Sequence, residues 1–332
     1  MKEIVRTNDP VLVSAVATLL EAAQIPHWVL DQNMSVLEGS IGILPRRVLV
    51  PDEHLDAARS LLREAGLGHE LWRDVTWGFD QAWTDDAVLD GRLRLKQPRR
   101  GHRFGHDAIL LAAATGGRAG EHAIELGAGV GAAGLALASR VEGLRLTLIE
   151  IDPLLAAAAR VNADSNGLGD RIATVALDVM APPAVFAASN LGHGIAHRVL
   201  MNPPFHDPAT RPPSPDPDRR RAHAAERGVV AEWVRTAFRL LRPEGVLTLI
   251  HPADRLAEIL AALDESFGAI AILPVYGKPD AAAIRILVRA VKASRGPLAI
   301  LPPLMLNDQQ GNPTAEAQAV LRAGTALPLA AD

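Results

Sequence analysis

At 332 residues the chain is long enough for two domains, or for one large domain with an appendage. Its 48% hydrophobic and 22% charged content is that of an ordinary globular protein, and the absence of cysteine excludes disulfides, thiolate metal sites and cysteine nucleophiles. A net charge of −4 argues against wholesale coating of nucleic acid but leaves room for local basic patches, such as Arg99/Arg100/Arg103 and Arg219/Arg220/Arg221.

The opening residues, MKEIVRTNDP, carry charge and no apolar core, so they do not read as a signal peptide. No stretch approaches the ~18 uninterrupted apolar residues of a membrane span, and a cytoplasmic location is expected. Residues 1–68 read as a compact unit: a strand "EIVRT", a helix "VLVSAVATLLEAAQI" opened by Asp9-Pro10, strands "PHWVLDQ" and "RRVLVP", and a second helix "DEHLDAARSLLREAG". Asp52 is the expected cap of that second helix and Gly66 its stop. The order β-α-β-β-α suggests a small α+β, ferredoxin-like sandwich. It resembles a family of short bacterial domains described as signal-transducing modules, and carries no catalytic motif.

Residues 69–90 mix tryptophans with acids and are expected to form a linker, leaving 91–332 as the main domain. There, strands "HAIELG", "LRLTLIEID", "RIATVALDV", "HRVLMN", "GVLTLIHP" and "AIAILPVYG" alternate with alanine- and leucine-rich stretches of helical length. Such alternation predicts a mostly parallel sheet covered on both faces, a doubly wound α/β fold. "AAIRILVRAVK" follows the last parallel strand after a short turn and should run antiparallel. "HDPATRPPSPDPDRRR" reads as a polar loop. His102/His106 and His193/His197 have helical i, i+4 spacing, but no acid lies between them as a zinc-protease pattern demands, so no metal is expected.

The chemistry gathers at strand ends. "ELGAGVG", Glu125 to Gly131, follows a strand and opens a helix, where Gly127, Gly129 and Gly131 let the backbone turn tightly and a ligand approach. Gly127-x-Gly129-x-x-Ala132 also satisfies a relaxed dinucleotide fingerprint. Glu125 favours a different ligand, because a carboxylate there suits a cationic group such as a methionine ammonium. No hydride-transfer constellation appears downstream. Glu150 ends the next strand, where a carboxylate accepts from ribose hydroxyls, and Asp178 ends the third, where an adenine edge would lie. Asp152 reads as a helix cap before Pro153. The fourth strand runs into Asn202-Pro203-Pro204-Phe205.

This order of glycine loop, ribose acid, adenine acid and Asn-Pro-Pro-Phe resembles the class I S-adenosylmethionine methyltransferases that act on nitrogen. Within them it looks most like bacterial tRNA adenine-N6 methyltransferases that modify the adenine beside the valine anticodon, with "GHRFGHDAILLAAA" and "YGKPDAAAIRILVRAVK" matching their layout. The resemblance spans roughly residues 76–332. It implies a seven-stranded sheet whose last strand pair is antiparallel, and S-adenosylmethionine as cofactor. Glu125, the three glycines, Glu150, Asp178 and Asn202 would border that cofactor. Asn202 and Pro203 would hold the acceptor amine. Phe205, beside Pro204, would stack the base, and Arg219, Arg220 and Arg221 would meet tRNA.

Asn202 and the Pro203 carbonyl can take both hydrogens of an amine whose lone pair is delocalised, holding it toward the methyl donor. Side-chain glutamine amides and guanine N2 of rRNA present the same problem, so protein-glutamine and rRNA enzymes are alternatives, although Phe205 stands where the glutamine enzymes usually carry tyrosine. A non-catalytic cofactor-binding regulator is the alternative of another class.

Overall fold

The computed structural model describes residues 2–7, 10–30, 46–67, 83–99, 103–205, 217–263 and 266–331. They fall into two units, Met1–Phe79 and Asp80–Asp332.

In the first unit strand β1 (Lys2–Thr7), helix α1 (Pro10–Ala22), strands β2 (Trp28–Leu30) and β3 (Arg46–Val50) and helix α2 (Leu55–Glu64) follow one another. The sheet order is β1-β3-β2 with both pairings antiparallel, which gives a small α+β unit. Successive strand side chains point to opposite faces, so Val48 and Val50 enter a core with Val13, Val16, Leu20, Ala58 and Leu62, while Leu49 between them is only partly buried. Asp52 differs from its expected role. The chain first tightens into a 3-10 turn (Asp52–His54), closed by His54 N–H donating to Pro51 O at 3.0 Å, and the position that caps α2 is therefore His54. Past Gly66, Leu67 N–H donates back to Leu62 O at 2.8 Å and ends the helix.

The second unit opens with an antiparallel hairpin, β4 (Trp83–Val88) and β5 (Leu93–Pro98), so the expected linker carries a strand in its last third. Helix α3 (His106–Ala114) leads into β6 (His122–Leu126), α4 (Ala132–Arg140), β7 (Arg145–Glu150), α5 (Pro153–Ser165), β8 (Ile172–Ala176), α6 (Pro183–Ala188) and β9 (Ala196–Met201). Helix α7 (Pro217–Leu240), β10 (Leu241–Pro252), α8 (Leu256–Leu263), β11 (Phe267–Tyr276) and β12 (Ala283–Lys292) follow. Two short strands, β13 (Ala299–Ile300) and β14 (Leu304–Met305), and helix α9 (Ala315–Leu321) come last.

The large sheet runs β8-β7-β6-β9-β10-β12-β11, with β13 and β14 added on β11. Strands β6 to β10 pair in parallel, and β12 lies antiparallel to both β10 and β11. The parallel strands feed two cores. Leu146 and Leu148 of β7 pack in the cluster with α3, α4 and α5, whereas Ile149 packs in the cluster with Phe186 of α6 and Trp233 of α7. Burial on both faces explains why these strands read as continuous apolar runs.

The chain moves from β6 outward to β7 and β8, then restarts on the other side at β9. The crevice at the carboxyl ends of β6 and β9 is thus the switch point of the sheet, where doubly wound folds bind ligands. Asp152 caps α5 as expected, its carboxylate accepting from Leu154 N–H at 2.8 Å, with Pro153 in the first turn. Two asparagines one turn apart, Asn162 in α5 and Asn166 at its C-cap, act as a surrogate strand for the hairpin. Asn162 and Asn166 each exchange a pair of hydrogen bonds with the backbones of Lys96 and Arg94, at 2.7–3.0 Å. Asn162 also donates to Val130 O in the glycine loop at 3.0 Å, tying hairpin and loop together.

Candidate functional site

Glu125 sits in β6, one residue from its carboxyl end, and is only 5% exposed. Its Oε2 accepts a 2.7 Å hydrogen bond from Gly134 N–H in the first turn of α4. A side chain at Gly134 would strike that same oxygen, so this contact requires glycine. Burial, opposed by the Gly134 bond and reinforced by the charge of Glu150, pushes the Glu125 carboxyl up to about 8. A buried acid in this state favours a cationic partner, which would restore its ionisation.

Glu150 ends β7 and is also buried. Its Oε2 accepts from Gly129 N–H at 2.7 Å and its Oε1 from Asp152 N–H at 2.9 Å. The acid at this strand end thus shapes the glycine loop. The two glycines it adjoins serve different ends. A Cβ at Gly127 would collide with the Trp233 ring, so absence of a side chain there is a packing requirement imposed by α7. At Gly129, with φ +55°, nothing lies within 4 Å of where a Cβ would be, and the backbone is open to a ligand. Gly131 is the N-cap residue of α4, against Leu148 and Ala159. Asp178 lies two residues past the end of β8, exposed, with Oδ1 accepting from Met180 N–H at 2.8 Å in a local turn.

Asn202 follows directly on β9, beside β6 in the sheet. Its Oδ1 is buried and, among the described residues, accepts no hydrogen bond. Leaving such an oxygen unpaired costs about 1–3 kcal/mol, so a group that comes to it is strongly favoured. Pro203 is buried and Pro204 exposed. Phe205 is half-buried in a cleft of about 170 Å³, lined with Pro204, Val229, Val230, His251, Arg255 and Glu258. The Arg285 guanidinium lies over its ring, 5.1 Å from the centroid, and is itself held by Asp107 Oδ2 at 2.9 Å. His251 meets Phe205 edge-on, with centroids 5.6 Å apart.

The structure therefore brings Glu125, Gly129, Glu150 and Asn202 to one edge of one sheet. Arg219, Arg220 and Arg221 fall in the first turns of α7, not in a loop, and their side chains lie outside the described residues. Trp233, His251, Arg255, Glu258 and Arg285 were not singled out from sequence. The sequence carries a signal for one of them: His251 lies one residue before the end of β10, close to the strand-end placement of Glu150. Asp107 lies in the first turn of α3 behind the N-cap Gly105, and its carboxylate pairs with Arg285. Among the described residues no cluster of three or more histidines or acids could hold a metal, and no helix is long and apolar enough to cross a membrane.

This sheet order, with a glycine loop and strand-end acids at the switch point, defines a class I methyltransferase fold. Residues 1–66 match the family model described as "Putative prokaryotic signal transducing protein", and residues 107–277 match "Methyltransferase small domain". The second match takes in just over half of the 332 residues, and the chain belongs to that methyltransferase family.

A curated tRNA1(Val) (adenine(37)-N6)-methyltransferase from Porphyromonas gingivalis is 34% identical over 161 residues, 47% of this chain and 61% of the relative. The chain thus spans about three fifths of the length of these tRNA-enzyme relatives, the one from Shewanella amazonensis being covered to 60%. A release factor glutamine methyltransferase from Chlorobaculum tepidum is 28% identical, with 69% of this chain and 78% of the relative covered. Among solved structures, a predicted O-methyltransferase from Agrobacterium tumefaciens superposes with TM-score 0.57 at 29% identity, over 67% of this chain and 98% of that one.

Proposed function

We propose that the chain methylates an exocyclic amino nitrogen, the N6 of adenine in tRNA, using S-adenosylmethionine. The observation that carries this reading is the buried, unpartnered Asn202 Oδ1 at the switch point beside an open glycine loop. The residues fit the cofactor. Gly129 presents bare backbone, Glu150 presents a carboxylate for ribose hydroxyls, and Glu125 offers a buried acid to the methionine ammonium. When bound, the cofactor supplies a methyl group activated on a sulfonium. Gly127, Gly131 and Asp178 would complete its surroundings, with Asp178 toward the adenine.

The protein's own part is to aim the acceptor. Asn202 Oδ1 and the Pro203 carbonyl take the two N–H hydrogens of the target amine, and proline restricts the direction of that carbonyl. The lone pair is then left pointing at the methyl group. Phe205 gives the base a face for stacking, worth ~1–3 kcal/mol. The methylated nitrogen becomes acidic once cationic, so no strong general base is required. Arg219, Arg220 and Arg221 supply phosphate contacts that weaken with added salt. The first domain, residues 1–68, acts as a sensing or interaction module joined by the segment 69–90 to the catalytic domain 91–332.

The glutamine-methyltransferase relative favours a second reading, transfer to a side-chain amide, which the same acceptor pair would serve. Labelled cofactor offered in parallel to unmodified tRNA and to a glutamine-bearing release factor separates the two. Label in tRNA, recovered as N6-methyladenosine after digestion, is expected. Label in the protein alone would replace the first reading with the second.

A further inference from the structure

Asn202 is accompanied by a second orphan. The Nδ1 of His251 is buried and has no hydrogen-bond partner among the described residues, and the residue as a whole is only 2% exposed. The sheet brings both residues to the same edge. Strands β9 and β10 are parallel neighbours with Met201 opposite Leu249, so Asn202 and His251 leave the sheet at the same edge within two positions of register. On the far side of β10, His251 pairs with Ile286 and Pro252 with Arg285 of β12. His251 lines the same cleft as Phe205 and stands nearly perpendicular to its ring, at 83°. Strands β9 and β10 thus end with an amide acceptor and an imidazole at one edge of the sheet, and the imidazole lines a small cleft together with the Phe205 ring that Arg285 covers.

We propose that His251 reads the ring edge of the acceptor base, making one hydrogen bond to the ring nitrogen beside the amine that Asn202 holds. This rests on the proposed nucleobase acceptor. An adenine whose exocyclic amine meets Asn202 and Pro203 presents N1 on one flank of that amine and N7 on the other, so a group next to Asn202 in the sheet faces one of the two. Burial, with the Arg255 and Arg285 charges, pushes the imidazole down to about 4, so it is neutral near pH 7. A neutral imidazole carries one N–H, which donates to a ring acceptor. A guanine in the same pose carries a protonated N1 and a carbonyl where adenine has its amine, so this hydrogen bond together with Asn202 would select adenine.

The test uses full-length protein and synthetic anticodon stem-loops in which the target adenine is replaced by 1-deazaadenine or by 7-deazaadenine. Both analogues keep the exocyclic amine. Wild type should lose about 10- to 100-fold in kcat/KM on one analogue and little on the other. His251→Leu should be slower by a similar factor on adenine itself and should no longer distinguish that analogue from adenine. His251→Gln, which retains a donor, should recover part of the rate, and calorimetry should show cofactor binding unchanged in both variants. Equal rates of wild type on both analogues and adenine, or the same analogue penalty in wild type and His251→Leu, would overturn the proposal. Wild type that methylates no RNA at all would instead overturn the nucleobase reading on which it stands.

Discussion

The two halves of the crevice differ in how their polar groups are satisfied. On the β6–β8 side every acid has backbone partners before any ligand arrives: Glu125 with Gly134, Glu150 with Gly129 and Asp152, Asp178 with Met180. On the β9–β12 side the Asn202 oxygen and a His251 nitrogen are buried with no partner among the described residues. The first half is prebuilt, its glycine loop held by the Glu150 carboxylate. The second holds unmet hydrogen-bonding capacity, with rigidity supplied by prolines and by the Asp107–Arg285–Phe205 stack. Binding energy in the first half is available to the ground state, whereas the second half can reserve it for the reacting amine.

The sharpest way to break that contrast is Asn202→Ala. It removes an orphan rather than a made bond, so the empty protein should lose no stability while methyl transfer falls roughly 100-fold or more. Single-turnover transfer together with cofactor calorimetry checks both halves of the statement. A drop in cofactor affinity equal to the drop in rate would show that the halves are not separable. Glu150→Ala should do the reverse, weakening cofactor binding by ~1–3 kcal/mol through lost ribose contacts while also loosening the loop that Gly129 belongs to. Thermal unfolding without ligand should therefore fall for Glu150→Ala and not for Asn202→Ala.

Glu125 sharpens the comparison through pH. Its carboxyl is raised from the ordinary 4.5 to about 8, so the folded state holds a proton that the unfolded chain has released between those limits. Stability contributed by this group is full below about pH 4.5, declines as pH rises to about 8, and is constant above. Glu125→Gln should remove that decline, gaining on the order of a few kcal/mol over wild type near pH 8 and little near pH 4.5. Denaturant unfolding at several pH values checks it. Parallel curves for the two proteins would mean the carboxylate is ionised throughout.

A smaller effect is expected where the second half stiffens itself. Phe205→Ala and Arg285→Ala should each weaken tRNA capture, but the double variant should lose less than their sum, by about 0.5–1 kcal/mol in kcat/KM, since the cation over the ring matters only while the ring is present. Strict additivity would show that Arg285 does not act through Phe205. The smallest effect belongs to the first unit. Every edge residue named above lies between Asp80 and Asp332, so a chain starting near residue 70 should unfold cooperatively and bind cofactor within about twofold of full length, or ~0.4 kcal/mol. Loss of cooperative unfolding would show one shared core.

Much of the cofactor half was legible in the sequence because it is locally encoded. A residue at the end of a parallel strand must lie on the carboxyl edge, and a glycine-rich turn into a helix must sit beside it, so Glu125 and Glu150 could be placed together, with Asn202 of the other half on the same edge, from strand boundaries alone. The Asp152-Pro153 cap follows from the same short-range chemistry. Asp52 shows the limit even there, since a 3-10 turn closed by Pro51 moved the cap to His54.

What only the tertiary structure decided was which strand ends become neighbours. No local signal pairs Asp107 with Arg285 across 178 positions, or requires glycine at 127 because Trp233 of a distant helix fills the space. Periodicity tells which face of a strand is apolar, but not which partner lies alongside. The insertion of antiparallel β12 between β10 and β11 brings Arg285 to the edge where His251 and Phe205 emerge. The second half of the crevice is therefore a product of strand order, fixed by long-range packing of the two cores, while the first half was already written in strand, turn and helix.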